Sequence, residues 1–423
     1  MKEFDKVIGY QSIKTELERI CDIMRNYDKY KQLGVTTPRG LLLHGVPGVG
    51  KTLMAKCFVE ASGRRAFICR KDKSDGDFLK SIVDTFNQAV QYAPSIVFLD
   101  DMDKFANEDE QRRDAEEYVT IQTCIDKVAD KEVFVLATAN DIHKLPKSLI
   151  RVGRFDKVLE VGSPVGADAT NIVEYYLKQK SFVDDIDAQQ VARLLGGRSC
   201  AELETVINEA GIYAGSQGKS KIDMDDIIRA CMRVIFRAPE SVDLYSPETL
   251  EHIAYHEAGH AIVNELLEHD SVNIVSVCKY SGDIGGVTSY HQSDKYFFDK
   301  KYMENRVMSL LAGRAATEIK YGEVDVGANS DVERAYDIVT RFVDNYSSYG
   351  LYYIERRNSS HDLISRKELL IAIDMERYYA QARKLLIQNR EFLDKLAAAL
   401  VDKKTLTNKD IQAIKNTCNV IAA

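Results

Sequence analysis

The stretch LLLHGVPGVGKTLMAKCFVEA, residues 41–61, decides the fold of the first half of the chain. Its apolar start predicts a buried strand, and the residues after Thr52 predict a helix. Between them, residues 45–52 fill every fixed position of the pattern GxxxxGK[ST], in the strand–loop–helix context that a phosphate-binding loop requires. Glycines let backbone N–H groups surround phosphates, and the helix N-terminus adds positive potential. The expected nucleotide-binding residues are Gly45, Val46, Pro47, Gly48, Val49, Gly50, Lys51 and Thr52.

Charged and hydroxyl side chains at this site have separate expected tasks. Lys51 is expected to neutralise the β- and γ-phosphates, and Thr52 to hold Mg²⁺. A second apolar run, residues 95–100, predicts a strand that ends in Asp100 and is followed by Asp101. Ligands of open α/β sheets bind at the carboxyl ends of strands, so we expect Asp100 to support Mg²⁺ and Asp101 to polarise the attacking water. The sequence therefore predicts ATP and Mg²⁺ as cofactors.

The order of predicted elements divides the chain into three parts. Strands that alternate with helices are typical of a doubly wound α/β sheet, which we assign to residues 1–165. A helical pattern follows over residues 166–237, and a mostly helical domain over 238–423, after a linker at 238–247. The predicted strands are 41–45, 95–100, 133–140, 273–280 and 285–290, and the predicted helical segments include 78–93, 201–215 and 366–401.

Composition limits the classes of function. The chain has 423 residues, 45% of them hydrophobic, which is enough for more than one core. A formal net charge of −8 argues against nucleic acid as a partner, and we interpret the short basic run at 64–73 as a solvated loop. Eight cysteines without a CxxC pair argue against a thiolate metal site and indicate a reducing compartment.

No apolar run approaches the ~20 residues that span a bilayer, and the first residues lack a signal-peptide core, so we expect a soluble, cytoplasmic chain without its own membrane anchor.

Four motifs in order, GVPGVGKT, IVFLDDMD, ATAN and LIRVGRFD, resemble those of the AAA+ ATPases. The resemblance implies that residues 166–237 form a helical lid and that subunits assemble into a ring, usually of six. It implies that Asn140 orients the attacking water and that Arg151 and Arg154 are arginine fingers supplied in trans. It also places Ile8 and Gly9 near the adenine.

Two positions depart from the AAA+ pattern. The family normally has Glu where Asp101 stands, and the shorter side chain predicts slow hydrolysis. Where the family has an aromatic–apolar–Gly loop that grips substrate in the pore, residues 69–81 are short and charged. Phe78 is the nearest candidate for that aromatic, and it is equally a candidate core residue of the next helix.

The second half of the chain carries HExxH within AYHEAGHAIV, residues 254–263. Histidines four positions apart share one helix face, so His256 and His260 can reach one Zn²⁺. Glu257 is placed to act as the general base on the attacking water. Catalytic zinc usually has three protein ligands, so a third must come from elsewhere in the chain.

Downstream segments extend the resemblance to the FtsH-type AAA proteases. LAGRAATEIKYG at 311–322, VGANSDVERAYDIV at 326–339 and the domain order resemble that family over nearly the whole chain. The resemblance implies that Asp331 is the third zinc ligand. The competing carboxylates are Glu323, Asp325 and Glu333, and the histidines interpreted as non-ligands are His252, His269 and His291. That family normally has N-terminal transmembrane helices, and this chain begins where the ATPase module begins. Two alternatives stay open: a naturally soluble relative, or a chain from the cytosolic face of a membrane whose transmembrane segments were removed.

The leading hypothesis is an ATP-dependent zinc metalloprotease that unfolds protein substrates, translocates them through a ring and hydrolyses their peptide bonds. One alternative is an unfoldase or remodelling ATPase whose peptidase domain is only structural. A second alternative is a peptidase whose ATPase is silent, which the Asp101 substitution leaves open.

Overall fold

The computed structural model describes residues 2–71, 75–106, 115–151, 153–180, 186–237, 245–278, 286–290, 299–323, 326–344 and 360–422. The chain forms two compact units, Met1–Ala230 and Cys231–Ala423. The first unit contains a parallel sheet and helices, and the second is mainly helical. This α/β-then-helical organisation confirms the predicted fold class.

A five-stranded parallel sheet forms the centre of the first unit, in the order β2–β3–β4–β1–β5. Its strands are β1 (Gly40–His44), β2 (Arg65–Cys69), β3 (Ser95–Leu99), β4 (Val133–Ala139) and β5 (Lys157–Glu160). The three predicted strands of this half are confirmed as β1, β3 and β4, whose side chains are almost all buried. The edge strands β2 and β5 were not predicted, because their partly exposed side chains break the apolar run that marks a buried strand.

Sheet register brings the predicted motifs to one edge. Leu43 pairs with Thr138 across β1 and β4, and Leu99 pairs with Ala137 across β3 and β4. Parallel strands therefore end together, and the residues that follow β1, β3 and β4 are neighbours. This edge carries the nucleotide motifs.

Helices cover the sheet and form the remainder of the first unit. They are α1 (Gln11–Arg25), α2 (Tyr27–Gln32), α3 (Lys51–Ser62), α4 (Asp75–Gln91), α5 (Ala115–Lys127), α6 (Gly166–Lys178), α7 (Ala188–Leu194), α8 (Cys200–Ser216) and α9 (Met224–Val234), which crosses into the second unit. Helices α4 and α8 confirm the predicted segments 78–93 and 201–215. Ser199 and Glu202 form a reciprocal capping box that fixes the start of α8.

Phe78 is a core residue of α4. Its side chain is completely buried, and its ring centroid lies 5.1 Å from that of Phe105 in an edge-to-face pair. A ring enclosed in the hydrophobic core cannot grip a passing polypeptide, so the expectation that Phe78 belongs to a pore loop is wrong. The alternative, that it is a core residue of the next helix, is confirmed.

The described residues of the second unit form helices α10 to α15 and a three-stranded antiparallel sheet, in the order β7–β6–β8. The helices are α10 (Pro247–Leu267), α11 (Lys300–Tyr321), α12 (Asn329–Asp344), α13 (His361–Gln388), α14 (Arg390–Lys403) and α15 (Asn408–Lys415), and the strands are β6 (Val272–Ser276), β7 (Val287–Tyr290) and β8 (Thr405–Thr407). The predicted strand pair is confirmed as β6 and β7. The predicted helical segment 366–401 forms two helices, α13 and α14, which are separated at Asn389. The Asn389 side chain accepts a hydrogen bond from the Ile421 N–H at 2.8 Å and donates one to the Ile421 carbonyl oxygen at 3.1 Å.

Helices α10 and α11 pack closely around Gly259. A Cβ added at Gly259 would lie 2.5 Å from the Ala312 carbonyl oxygen and 2.6 Å from the Ala316 Cβ, so only glycine allows this approach. The contact holds the HExxH helix directly against α11. Among the helices in the described ranges, none is both long and apolar enough to cross a membrane.

Candidate active sites

Backbone conformation explains the glycines of the phosphate-binding loop, which joins β1 to α3. Gly45, Gly48 and Gly50 have φ values of +147°, +82° and +95°, a region that other L-residues rarely adopt. Gly48 also lies against α8, because its carbonyl oxygen accepts a hydrogen bond of 3.0 Å from the Ala201 N–H at the start of that helix. Of the other loop residues, Val46 and Pro47 are exposed and Val49 is buried.

Lys51 is a buried cation at the first position of α3. Its Nζ donates to the carbonyl oxygens of Gly45 at 2.7 Å and Val46 at 2.9 Å, and to Asn140 Oδ1 at 2.9 Å. Burial lowers the pKa of Lys51 below its ordinary value, and the neighbouring aspartates oppose that effect without cancelling it. An ammonium group that donates to these neutral oxygens fits the binding of a polyphosphate.

Asp100 is the acidic centre of the site. The residue is 2% exposed, and its Oδ1 accepts hydrogen bonds from Thr138 Oγ1 at 2.8 Å and Thr52 Oγ1 at 3.2 Å. Its Oδ2 forms an ion pair with Arg70, a residue that the sequence analysis did not single out. The structure therefore brings Thr52 and Asp100 together, as oxygen ligation of Mg²⁺ requires.

Asp101 and Asn140 lie beside this centre. Asn140 Nδ2 is 3.5 Å from Asp101 Oδ1, and the Asn140 N–H donates to Asp103 Oδ1 at 3.0 Å. Asp101 also pairs with Lys104 at 2.7 Å, and its backbone has a left-handed φ of +55°. The two side chains with expected roles in orienting water are thus neighbours.

Ile8 and Gly9 belong to the N-terminal segment, which meets α6 at Gly9. A Cβ at Gly9 would come within 2.9 Å of Asp168 Oδ1 on α6. The next residue, Tyr10, donates to the Gly162 carbonyl oxygen at 2.9 Å and contacts Cys200 Sγ at 3.5 Å. Tyr10 and Cys200 thus connect this segment to α8, and neither residue was a sequence candidate.

Arg151 and Arg154 have different environments in the single chain. Arg151 is exposed. Arg154 is 4% exposed, and its guanidinium forms a bidentate pair with Asp126 at 2.8 Å and 2.6 Å. Arg151 is therefore open to solvent, whereas Arg154 is engaged within its own subunit.

Two histidines and one aspartate converge in the second unit. His256 and His260 project from α10 with their Nε2 atoms 3.0 Å apart. Asp331 lies in the first turn of α12, and its Oδ2 is 3.3 Å from His256 Nε2 and 3.2 Å from His260 Nε2. The ligand atoms of the three residues all lie within 4.8 Å of one another. Two imidazole nitrogens and one carboxylate oxygen form a donor set suited to a zinc ion with one open position.

Hydrogen bonds outside this cluster orient its members. His260 Nδ1 lies 2.7 Å from the Ser309 carbonyl oxygen, a contact that places the proton on Nδ1 and leaves Nε2 able to bind a metal. Arg334 pairs with Asp331 Oδ1, so the other oxygen faces the histidines. Burial opposes ionisation of Asp331, but the two adjacent histidines outweigh that effect and lower its pKa below the usual value.

The other sequence candidates do not join the cluster. In the part of the chain that the structure describes, neither Glu323 nor Glu333 belongs to it. His252 stacks on Tyr321 with ring centroids 5.0 Å apart. His269 is also outside the cluster, and Asp325 and His291 lie outside the described residues.

Glu257 is held by the segment that contains β7. Its side chain is buried, and Thr288 Oγ1 lies 2.7 Å from Glu257 Oε2. A Cβ at Gly286 would lie 2.7 Å from Oε1 of the same carboxylate. Gly286 and Thr288 could not be recognised from the sequence, because they lie about thirty positions from HExxH and follow no pattern with it.

Gly313 forms the wall of the cluster on α11. A Cβ at this position would lie 2.5 Å from His260 Nε2 and 2.7 Å from His256 Nε2. Glycine in the middle of a helix is otherwise unfavourable, and that was the one signal available from sequence.

Comparison with known proteins gives this arrangement its class. Residues 41–163 match the ATPase family associated with various cellular activities, or AAA. Residues 243–414 match peptidase family M41. The chain thus joins an AAA ATPase to an M41 peptidase.

Relatives share both parts in the same order. ATP-dependent zinc metalloprotease FtsH of Caldicellulosiruptor bescii is 30% identical over 447 aligned positions, which cover 97% of this chain and 71% of the relative. ATP-dependent zinc metalloprotease FtsH 2 of Symbiobacterium thermophilum is 32% identical over 441 positions, which cover 97% and 74%. The chain belongs to the FtsH family of ATP-dependent zinc metalloproteases. Its cofactors are accordingly Zn²⁺, and ATP with Mg²⁺.

Proposed function

We propose that this protein works as a homo-oligomeric ring that uses ATP hydrolysis to unfold polypeptides and to pass them to zinc sites that cleave them. The observation that carries the proposal is the convergence of His256, His260 and Asp331 beside Glu257, in a chain that also has a complete phosphate-binding loop. A structural peptidase domain would not need a general base next to three metal ligands.

In the peptidase, we assign His256, His260 and Asp331 to hold Zn²⁺. Bound zinc supplies Lewis acidity that activates water and polarises the substrate carbonyl. Glu257 takes a proton from the attacking water and returns it to the leaving amine. Thr288, at 2.7 Å, holds the Glu257 carboxylate in one orientation.

In the motor, we assign the loop 45–52 to the phosphates and Thr52 with Asp100 to Mg²⁺. Lys51 neutralises phosphate charge, Asp101 polarises the attacking water, and Asn140 orients it. Ile8 and Gly9 border the adenine. The proximity of Asp101 and Asn140, at 3.5 Å, supports this division of tasks.

For the ring, which we take to be a hexamer, we propose that Arg151 enters the nucleotide site of the neighbouring subunit. Its exposure supports this role, and arginine fingers contribute ~10³–10⁵ in rate in related phosphoryl transfers. Arg154 remains the second predicted finger, but its pair with Asp126 makes Arg151 the better residue to test. Mixing Lys51→Ala subunits with Arg151→Ala subunits should restore part of the ATPase activity. Absence of rescue between subunits that demonstrably exchange would contradict sites shared between subunits.

We propose a cytoplasmic location for the described units. None of the eight cysteines, which all lie in the described residues, forms a disulfide, as expected in a reducing compartment. The net charge of −8 favours polypeptide rather than nucleic acid as the substrate.

Peptide release from an unfolded casein-like substrate, with and without ATP, tests the function. Wild type should cleave in an ATP-dependent manner. Glu257→Gln should keep zinc and ATPase activity but lose cleavage, because only the general base is removed. Asp331→Ala should lose zinc, measured by elemental analysis, and keep ATPase activity. Cleavage without ATP would favour a peptidase with a silent motor, and no cleavage by a zinc-loaded wild type would favour an unfoldase.

A further inference from the structure

We propose that Arg70 is a built-in counter-ion of Asp100, and that it competes with Mg²⁺ for this carboxylate. Binding of Mg²⁺ with nucleotide then requires release of Arg70. The inference rests on the proposed role of Asp100 as the carboxylate that supports Mg²⁺. It adds a residue that controls how readily the motor accepts the metal.

Sheet register places Arg70 beside Asp100. Strands β2 and β3 are parallel, with Cys69 opposite Leu99 as the last pair. The Asp100 N–H donates to the Cys69 carbonyl oxygen at 3.1 Å, so the pairing extends to the residues that follow the strands. Arg70 and Asp100 are therefore brought together by the backbone ladder, and not only by the reach of a long side chain.

The two partners have unequal environments. The Asp100 side chain is 3% exposed, and its Oδ1 already accepts hydrogen bonds from two threonines. Arg70 approaches the remaining oxygen, Oδ2, while 58% of its own side chain is exposed. The carboxylate is thus fixed, but the guanidinium can move into solvent. Because like charges repel, Arg70 and Mg²⁺ cannot both be favoured at this oxygen.

Neighbouring cations have other partners. Lys51 is buried and bonded to loop carbonyl oxygens and to Asn140, and Lys104 pairs with Asp101 at 2.7 Å. Lys71, the residue after Arg70, lies 3.7 Å from Glu117 on α5. Lys71 is therefore a matched control, since its removal also deletes a positive charge near the site but leaves the Asp100 pair intact.

The experiment measures binding of a fluorescent ATP analogue to the full chain while free Mg²⁺ is titrated in a buffered series. Arg70→Ala should lower the half-saturating Mg²⁺ concentration by about two- to fivefold, the range for an ion pair with one exposed member. Arg70→Lys keeps a competing cation and should stay near wild type. Lys71→Ala should leave the value unchanged. Binding in EDTA should be the same in wild type and Arg70→Ala.

Two results would overturn the inference. An unchanged Mg²⁺ requirement in Arg70→Ala would show that no competition exists. Weaker binding of Arg70→Ala in EDTA would show that Arg70 contacts phosphate instead.

Asp100→Asn separates this inference from the proposed site. If it does not raise the Mg²⁺ requirement, the assignment of Asp100 itself fails. If it does, and Arg70→Ala has no effect, only the competition fails. Adding Arg70→Ala to Asp100→Asn should cause no further change.

Discussion

Replacing Gly313 with alanine is expected to remove zinc from the peptidase while leaving the helix intact. Gly313 lies within α11 and does not have a positive φ. Alanine is favoured over glycine in helix interiors by about 1 kcal/mol, so the change would stabilise α11 if space were available. The added Cβ, however, would meet His260 Nε2 at 2.5 Å and His256 Nε2 at 2.7 Å.

The size of the effect follows from these distances. Ordinary van der Waals contact of a Cβ begins at 3.4 Å, so the His260 contact is short by about 0.9 Å. Ligand distances in metal sites are set to within about 0.2 Å. Rotation of the His260 ring also disturbs its hydrogen bond to the Ser309 carbonyl oxygen. Loss of such supporting contacts typically costs 10–100-fold in metal affinity, and we expect Gly313→Ala to lose at least that much.

Zinc affinity is measured by competition with a chromophoric chelator, together with cleavage, ATPase activity and thermal unfolding. The matched control is Gly211→Ala in α8, where the nearest atom to a new Cβ is the flexible Ile222 Cδ1 at 3.4 Å. The control should keep zinc and gain up to ~1 kcal/mol of stability. Wild-type zinc affinity in Gly313→Ala would refute the argument that this glycine is required by the metal ligands.

Three further changes test other parts of the structure. Thr288→Val should reduce cleavage by about tenfold or more with zinc retained, because it removes a hydrogen bond to the Glu257 carboxylate, and such a bond is worth ~1.5–3 kcal/mol. Thr288→Ser keeps the hydroxyl group and should recover activity. Equal cleavage rates in the two variants would contradict the positioning of Glu257 by Thr288. Asp101→Glu should raise ATP turnover, because the longer side chain reaches further toward the attacking water. It should also lower the melting temperature, since larger side chains are strained at a φ of +55°. Slower ATP turnover in this variant would show that the site is built for Asp. Arg154→Ala should destabilise the first unit by about 1–3 kcal/mol in thermal unfolding. Arg151→Ala should change stability by less than ~0.5 kcal/mol and lose ATPase activity. A larger loss of stability in Arg151→Ala than in Arg154→Ala would contradict the different roles given to these arginines.

Sequence was informative where function is contained in a short, continuous pattern. The phosphate-binding loop and HExxH depend on local geometry, so their spacing alone predicted a strand–loop–helix and a shared helix face. Asp331 needed the family resemblance, because 71 positions separate it from His260 and no local pattern connects them. The edge strand β2 was missed for a related reason. With one side unpaired, it lacks the continuous apolar run of β3.

The roles of residues that position a catalytic or metal-binding side chain could not be predicted from the sequence. Gly286, Thr288 and Gly313 act by close approach to side chains on α10, and that proximity exists only after the second unit has folded. Phe78 shows the opposite failure. Its position after a short charged segment suggested an exposed role, but sheet and helix packing bury it.

Asp101 shows how backbone conformation changes the interpretation of a substitution. From the sequence, it is a glutamate shortened by one methylene. In the structure, its N–H donates to Thr138 Oγ1 at 2.9 Å and its φ is +55°, a left-handed conformation that Asp tolerates better than most residues. Thr138 also binds Asp100 at 2.8 Å, so one hydroxyl fixes both carboxylates at the end of β3. With Lys104 and Asn140 as its side-chain neighbours, Asp101 occupies a site whose backbone suits its own short side chain. The backbone therefore favours aspartate for stability, so we expect Asp101→Glu to lose stability while it gains ATP turnover.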